Sequence, residues 1–143
     1  MVEVPRVENL GFLLAKASQR WNERLTTGLA AAGFPQVRAS YGSVLLPLWE
    51  QDGARMGAVA ERARLSKQTM TTLVRLAERD GLVERRVDPT DGRAARVWLT
   101  PTAIALAPVA ATVVADLQRA VELALGQRAT NALQHALTTI AHL

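Results

Sequence analysis

The sequence contains no cysteine. A disulfide framework, a thiolate zinc site and a cysteine-based peroxide sensor are therefore excluded. Aromatic residues make up only 4% of the 143 residues, whereas hydrophobic residues make up 49%, so a core must consist mainly of Ala, Leu and Val. Such side chains suit close-packed helices better than an aromatic-rich sheet. The length predicts a single domain, residues 1–143.

Signals for export, for membrane insertion and for catalysis are also missing. The first residues lack the basic and apolar stretches of a secretory signal. The longest nearly apolar stretch, Ala103–Ala115, is shorter than the roughly 20 residues that span a bilayer, so we expect a cytoplasmic protein without a membrane partner. No nucleophile–base pair or phosphate-binding Gly loop is visible, so no enzyme activity and no cofactor are expected. His135 and His142 could meet across a dimer, but without Cys or paired carboxylates no metal site is expected.

Positive charge is concentrated in one block of the chain. Between Arg55 and Arg96 there are ten basic and six acidic residues, and the resulting +4 equals the net charge of the whole chain. A local basic block is what a phosphate-binding surface requires. The alternative is an Arg-rich solvated face, since the chain uses 15 Arg against 2 Lys. Composition alone leaves both interpretations open.

Apolar residues recur at helical spacing through most of the chain. A capped helix is predicted to begin after Ser66, whose hydroxyl suits an N-cap, and Pro47 should kink or shorten an earlier helix. Thr100-Pro101 is typical of a helix start, with Thr as the cap and Pro at the first helical position. The predicted helices cover Val7–Ala32, Val37–Gln51, Gly57–Ala63, residues 67–80, Pro101–Leu125 and Gln127–Ala141. The predicted strands are Leu82–Val87 and Ala94–Leu99, joined by a turn over residues 88–93.

Two short helices, the second one polar and capped, followed by a basic hairpin, predict a winged helix-turn-helix. An α-helix fits the major groove of B-DNA, where its first turns meet base edges and need short hydrogen-bonding side chains with a basic rim. Arg93 at the hairpin would reach the adjacent minor groove, and Asp91 is close enough to hold its guanidinium. The predicted DNA-binding residues are Arg55, Ser66, Lys67, Gln68, Thr69, Thr71, Thr72, Arg75, Arg85, Asp91 and Arg93. The alternatives are a solvated polar face and an Arg93 that only pairs with Asp88 or Asp91.

The block Arg55–Leu106 resembles the MarR family of bacterial and archaeal regulators. The resemblance is carried by Leu65-Ser66-Lys67-Gln68-Thr69, by Leu76-Ala77-Glu78-Arg79-Asp80-Gly81-Leu82, and by Asp88-Pro89-Thr90-Asp91-Gly92-Arg93 with the later Leu99-Thr100. It implies a homodimer built from the first, fifth and sixth helices, a wing Arg93 in the minor groove, and regulation by a small ligand. Three positions depart from the family pattern: Arg64 where Gly is frequent in the turn, Gly92 for a second wing Arg, and Phe34-Pro35 without a cap.

The predicted fold is therefore mainly α, a winged helix-turn-helix of about six helices plus a β-hairpin wing. Residues 1–35 and 101–143 are expected to dimerise, and residues 37–100 to bind DNA. Burial of the amphipathic terminal helices against a second copy would set two recognition helices one DNA turn apart, as a palindromic site requires. The alternative is that these helices only cover the core of their own subunit.

The predicted function is a double-stranded DNA-binding transcription regulator, a repressor that a small ligand releases from a pseudo-palindromic operator. Effectors of the family are often phenolic or aromatic acids, and the candidate pocket residues are Ser18, Trp21, Arg38 and Tyr41. Trp21 could instead belong to the core or to the dimer interface. A winged helix that binds protein rather than DNA is the competing class, and salt dependence separates the two because phosphate contacts weaken steeply with ionic strength.

Overall fold

The computed structural model describes all 143 residues and divides them into two compact units. The central unit is Thr26–Ala110, and the terminal unit combines Met1–Leu25 with Ala111–Leu143. Six α-helices and three strands are present, which confirms the predicted mainly α winged helix. The helices are α1 (Leu10–Ala31), α2 (Gly42–Glu50), α3 (Met56–Ala63), α4 (Lys67–Arg79), α5 (Pro101–Leu125) and α6 (Gln127–Ala141), and the strands are β1 (Ala54–Arg55), β2 (Val83–Asp88) and β3 (Asp91–Leu99).

Helix ends in the central unit follow the capping residues of the sequence. Ser66 caps α4, because its Oγ accepts a hydrogen bond of 3.1 Å from the backbone N–H of Thr69. Thr100 caps α5 in the same way, accepting from the N–H of Ala103 at 3.3 Å. The second predicted helix is shorter than expected. Residues 39–41 form a 3₁₀ turn, and α2 contains Pro47 within nine residues.

The sheet has three antiparallel strands in the order β1-β3-β2, so the wing is larger than the predicted hairpin. Strand β1 pairs Ala54 with Val97 and Arg55 with Arg96. A strand of two residues shows no alternation of apolar and polar side chains, and it exists only because β3 lies beside it. Nothing in the local sequence could have indicated it.

The prediction of a six-residue turn at the wing tip is wrong. Asp88 pairs with Asp91, so only Pro89 and Thr90 connect the strands. The turn is tight because the Asp88 carboxylate accepts from the backbone N–H of Thr90 at 2.9 Å and from its hydroxyl at 2.7 Å. The next β2 residue, Val87, already pairs with Ala95. Residues 92–94 therefore form a bulge in β3 that has no partner on β2.

The hydrophobic core lies almost wholly in the central unit. Fully buried side chains come from the 3₁₀ turn, from α2 to α4, from the sheet and from the start of α5. Trp49 is half-buried, and its indole N–H donates to the carbonyl of Ala103 at 3.1 Å. Gly53 has φ +69° and lies against Trp98, so a Cβ would come within 2.5 Å of the indole ring. Only glycine fits this position, on steric and conformational grounds.

The terminal unit is helical and buries little of itself. Leu117 and Thr130 are its only buried residues, while long apolar side chains stay in contact with solvent. Helix α5 continues through Pro108 for 25 residues, so it is long and apolar enough to cross a membrane by length and composition alone. The nearly apolar stretch that the sequence analysis delimits, Ala103–Ala115, lies within this helix. Core helices of soluble proteins pass the same test, and in the central unit Ala103 and Leu106 of α5 are core residues.

Candidate nucleic-acid interface

Helix α4 has one buried and one exposed face. Met70, Val74 and Ala77 are buried at the spacing that the sequence predicts. On the other face Lys67, Gln68 and Arg75 are exposed, and their side chains form no hydrogen bond or ion pair within the chain. These three side chains lie on the first two and a half turns of α4, and each can donate hydrogen bonds. They are therefore free to bind another molecule.

The sequence predicts that the hydroxyl groups of α4 contact DNA, but two of them form hydrogen bonds within the helix. Thr71 and Thr72 donate to the carbonyls of Lys67 and Gln68, at 2.8 and 3.2 Å. A hydroxyl has one hydrogen, so neither can donate to a phosphate without leaving its own helix. Ser66 donates to Thr69 Oγ1 at 2.8 Å, which leaves the hydrogen of Thr69 available. Thr69 is therefore the hydroxyl best prepared to donate outward.

Arg93 lies at the centre of the wing bulge. Its side chain is exposed and has no ion pair with Asp88 or Asp91. The expected contact between Asp91 and the Arg93 guanidinium is wrong. Asp91 Oδ1 accepts instead from the backbone N–H of Arg93, at 3.1 Å. Asp91 thus shapes the bulge, and the bulge leaves the guanidinium free.

Arg85, which the sequence places among the DNA contacts, is held by α4. Glu78 accepts from the backbone N–H of Arg85 at 2.9 Å and pairs with its guanidinium at 2.9 Å. The backbone hydrogen bond, assisted by the guanidinium, lowers the pKa of Glu78 below its usual value. This double contact ties β2 to the end of α4, and so fixes the wing relative to the recognition helix.

Arg55 is also held by a carboxylate, that of Asp88, which is 1% exposed. Asp88 Oδ2 lies 2.8 Å from Arg55 Nε and 3.1 Å from Arg96 Nε, while its Oδ1 accepts both hydrogen bonds from Thr90. The bonds from Thr90, followed by the two arginines, lower the pKa of Asp88 to about 2. The sequence analysis did not predict that Asp88 contacts two arginines and Thr90 at once. The only local signal was an Asp before Pro-Thr, which is typical of a side chain that closes a turn.

The four predicted ligand residues are divided between the two units. Ser18 is exposed and Trp21 half-buried in the terminal unit, and Arg38 is exposed in the central unit. Tyr41 is fully buried, and its hydroxyl donates to Asp80 at the end of α4. Burial, and then this hydrogen bond, raise the pKa of Tyr41.

An open cavity of about 340 Å³ lies between α2 and α3 in the central unit. The ion pair of Arg62 with Glu50 is part of its wall. None of the four predicted ligand residues lines this cavity.

The turn between α3 and α4 contains the backbone departure that the sequence indicated. Arg64 has φ +57° and ψ +40°, and it is the only residue other than glycine with a positive φ. Its N–H bonds to the carbonyl of Glu61 at 3.1 Å, and the N–H of Leu65 bonds to Ala60 at 3.0 Å, which closes the end of α3. Arg64 thus occupies a left-handed conformation that glycine adopts more easily.

Comparisons with known proteins agree with this geometry. Residues 43–94 match the family model described as MarR family. No curated protein sequence matches the chain significantly. Two solved structures illustrate the likeness. A transcriptional repressor, CouR, bound to a 23-mer DNA duplex is 25% identical, with 97% of this chain and 99% of that chain covered and a TM-score of 0.79. The PcaV transcriptional regulator from Streptomyces coelicolor in complex with its natural ligand is 20% identical, with 99% and 98% covered and a TM-score of 0.82.

A third structure, a probable transcriptional regulator from Pseudomonas aeruginosa, is 22% identical over 93% of this chain and 97% of that chain, with a TM-score of 0.79.

The segment that matches the family model runs from the start of α2 to the wing bulge and so includes α4. This segment contains α2, β1, α3, α4, β2 and the start of β3, in that order. The family model, the structural likeness and the capped polar helix followed by a wing agree: the chain has a winged-helix fold, and its residues 43–94 match the MarR family.

Proposed function

We propose that the protein is a homodimeric transcription regulator that binds double-stranded DNA at a pseudo-palindromic operator. The observation that carries the proposal is the exposed face of α4, where Lys67, Gln68 and Arg75 have no partner within the chain. Gln can pair bidentately with adenine, and Lys and Arg can reach guanine or phosphate. No internal contact of these side chains has to break before they meet DNA.

The wing supplies the second contact. Arg93 is exposed on a bulge, and a guanidinium there suits the narrow minor groove of A·T-rich DNA, where the negative potential is strongest. We propose direct contacts for Lys67, Gln68, Thr69, Arg75 and Arg93, and for Ser66 only as a hydrogen-bond acceptor, because its hydroxyl hydrogen bonds to Thr69. Thr71 and Thr72 contribute apolar contacts through their methyl groups, because their hydroxyls bond to the helix. Arg85 and Asp91 position the wing.

The relatives support this proposal. One structure with 25% identity is a transcriptional repressor bound to a 23-mer DNA duplex. We infer that this chain is also a repressor and acts in the cytoplasm. The second partner is another copy of the chain. Apolar side chains of α1, α5 and α6 are exposed in the single subunit, and a two-fold dimer would bury them while presenting two recognition helices to one operator.

We propose further that a small aromatic or phenolic effector releases the operator. The relative from Streptomyces coelicolor was solved in complex with its natural ligand. A ligand that favours one spacing of the recognition helices shifts the dimer between DNA-binding and non-binding states, because its affinity differs between them. Ser18, Trp21 and Arg38 stay the proposed contacts, and the fully buried Tyr41 acts indirectly, through its bond to Asp80 at the end of α4.

The test is fluorescence anisotropy of the purified protein on labelled DNA from upstream of its own gene. Random DNA serves as competitor, and the titration is repeated at two salt concentrations. We expect tight binding that survives the competitor and weakens steeply with salt, since each neutralised phosphate contributes about 0.9 to the slope of log K against log salt. Weak binding that the competitor abolishes would overturn the proposal and favour a winged helix that binds protein.

Gln68→Ala tests the reading of bases. We expect it to lower the preference for the operator over mismatched DNA, by about 1–3 kcal/mol at one position, more than it lowers total affinity. Lys67→Ala is the comparison, since a phosphate contact weakens binding to every sequence. A uniform loss with Gln68→Ala would assign Gln68 to the backbone instead.

A further inference from the structure

Asp88 is the most enclosed charged group of the central unit. The Asp88 carboxylate accepts two hydrogen bonds from Thr90 and one from Arg96 Nε, and Arg55 Nε lies 2.8 Å from the oxygen that Arg96 contacts. A buried charge is tolerated only when it is paired and hydrogen-bonded in this way. The loss of its negative charge would leave two guanidinium groups side by side without a counter-charge.

The two arginines reach Asp88 from different elements. Arg55 stands at the junction of β1 and α3, and its Nη2 also lies 3.4 Å from Thr90 Oγ1. Arg96 belongs to β3, and its Nη1 donates to the carbonyl of Gly53 at 2.9 Å. The carboxylate therefore joins the loop before α3, the central strand and the wing turn. The position of the wing therefore depends on this group as well as on the pair of Glu78 with Arg85.

Asp88 also neutralises part of the positive charge of the basic block, because it pairs with two of its arginines. Arg55 and Arg96 are about half and one-third exposed, so both lie near the surface, yet both are paired with Asp88: Arg96 donates its Nε–H to the carboxylate, and Arg55 Nε lies 2.8 Å from it. Most other arginine pairs of this unit are with exposed or part-exposed carboxylates, which solvent and salt weaken. The pairs with Asp88 are shielded from solvent on the carboxylate side, so they persist in salt.

We propose, on the basis of the function proposed above, that Asp88 is a specificity-determining positioning residue for operator binding. Its carboxylate holds Arg55 and Arg96 in place, which gives the wing one shape and keeps both guanidinium groups from binding phosphates of any sequence. Arg55 thereby acts inside the wing, not as the direct DNA contact that the sequence predicts. Discrimination improves because non-specific affinity depends on mobile cations, whereas operator affinity depends on where the wing lies.

Asp88→Asn tests the proposal, because the amide has nearly the same shape but can accept with only one atom. We expect affinity for random DNA to rise and affinity for the operator to fall. The ratio of the two should decrease by about tenfold or more, since the bonds lost are charge-assisted. For random DNA the salt slope should steepen by up to about 1.8, which corresponds to two released arginines at about 0.9 each.

Glu84→Gln is the matched control. It removes the same charge from the same sheet and frees Arg86 from an exposed pair of 3.3 Å. We expect it to raise affinity for both DNAs by a similar factor, with the ratio unchanged. An equal drop of the ratio in Glu84→Gln and Asp88→Asn would overturn the proposal, because net charge alone would then explain it.

Thr90→Val covers the case in which Asp88→Asn does not fold, as judged by circular dichroism. It keeps every charge but removes the hydroxyl that bonds to Asp88 and Arg55, so we expect the ratio to fall by about fivefold. A folded Asp88→Asn or Thr90→Val protein with the wild-type ratio would overturn this inference alone. A wild-type protein without preference for its upstream DNA would overturn the proposed function, and this inference with it.

Discussion

The central and terminal units of this chain are both helical, but they differ in how much of themselves they bury. Of the 18 buried hydrophobic residues, 17 belong to the central unit, and Leu117 alone to the terminal unit. In the terminal unit the long apolar side chains remain exposed along α1, α5 and α6: Leu10, Phe12, Leu13, Leu14, Val114, Leu123, Leu125, Leu133, Leu137 and Ile140. Exposed apolar surface of this extent marks an interaction site.

The difference in burial indicates that the two units are stabilised in different ways: the central unit by its own core, the terminal unit by association with another molecule. The central unit has a core, capped helices and a wing joined by a buried carboxylate, so one chain contains what stabilises it. The terminal unit has apolar surface that stays exposed in a single chain. Substitutions in the central unit should therefore change folding or DNA affinity, and those in the terminal unit should change association.

The largest effect is expected in the terminal unit from Leu137→Asp, at a side chain that is 41% exposed. A Leu buried at an interface contributes about 1.5–3 kcal/mol, and a two-fold dimer counts it twice, so the dimer should weaken by at least about 100-fold. Sedimentation velocity measures this. Asn131→Asp adds the same charge to an exposed residue of α6 and should leave the dimer intact. A dimeric Leu137→Asp protein would place the interface elsewhere.

Leu48→Ala should give the next largest effect, this time on folding. Leu48 is fully buried, and removal of its side chain leaves a cavity that costs about 2–5 kcal/mol in the free energy of unfolding. Leu46→Ala is the matched variant on the same helix. Leu46 is 62% exposed, so the cost should stay within about 0.5 kcal/mol. Urea unfolding at one fixed protein concentration compares them, and equal costs would contradict the position of the core.

Arg93→Ala should lower operator affinity by about 1–3 kcal/mol without changing stability, because the side chain is exposed and forms no hydrogen bond or ion pair within the chain. The salt slope should decrease by about 0.9. Arg128→Ala removes another exposed arginine, this one from the terminal unit, and should leave DNA affinity unchanged. Anisotropy titrations of both variants test whether DNA binding belongs to the central unit, and equal losses would show an effect of net charge only.

The smallest effect is expected from Arg64→Gly, which should raise the free energy of unfolding by up to about 1 kcal/mol. Glycine adopts the positive φ of this turn without the steric cost that Arg64 bears. Arg62→Gly, two residues earlier and inside α3, should instead destabilise by about 1 kcal/mol. Thermal unfolding gives the sign of each change, and a loss of stability in both variants would mean that the Arg64 turn is not strained.

Local signals account for the parts of the fold that the sequence predicted well. Ser66 and Thr100 cap helices, Gly81 follows α4, and Gly126 separates α5 from α6, because these residues act on backbone groups a few positions away. The exposed and buried faces of α4 likewise follow from the 3.6-residue period alone. The left-handed turn at Arg64 was indicated by its place in the motif.

The candidate site was predicted as a set of residues but not as an arrangement. Lys67, Gln68, Arg75 and Arg93 are exposed and unoccupied as expected. Arg55 and Arg85 resemble them in the sequence but are held by Asp88 and Glu78. A list of basic residues cannot separate the two groups, since the difference lies in a carboxylate that another element brings near.

The sequence by itself determined the type and order of the elements, the capped polar helix, and the likeness of the central segment to the MarR family, because these depend on short-range periodicity and on motifs a few residues long. Only the tertiary structure decided the third strand, the bulge that leaves Arg93 free, and the burial of Asp88 between Arg55 and Arg96. The third strand and the pair of Arg55 with Asp88 join residues more than thirty positions apart, and such pairings arise only when strands and loops pack together. They determine which of several similar arginines can reach DNA.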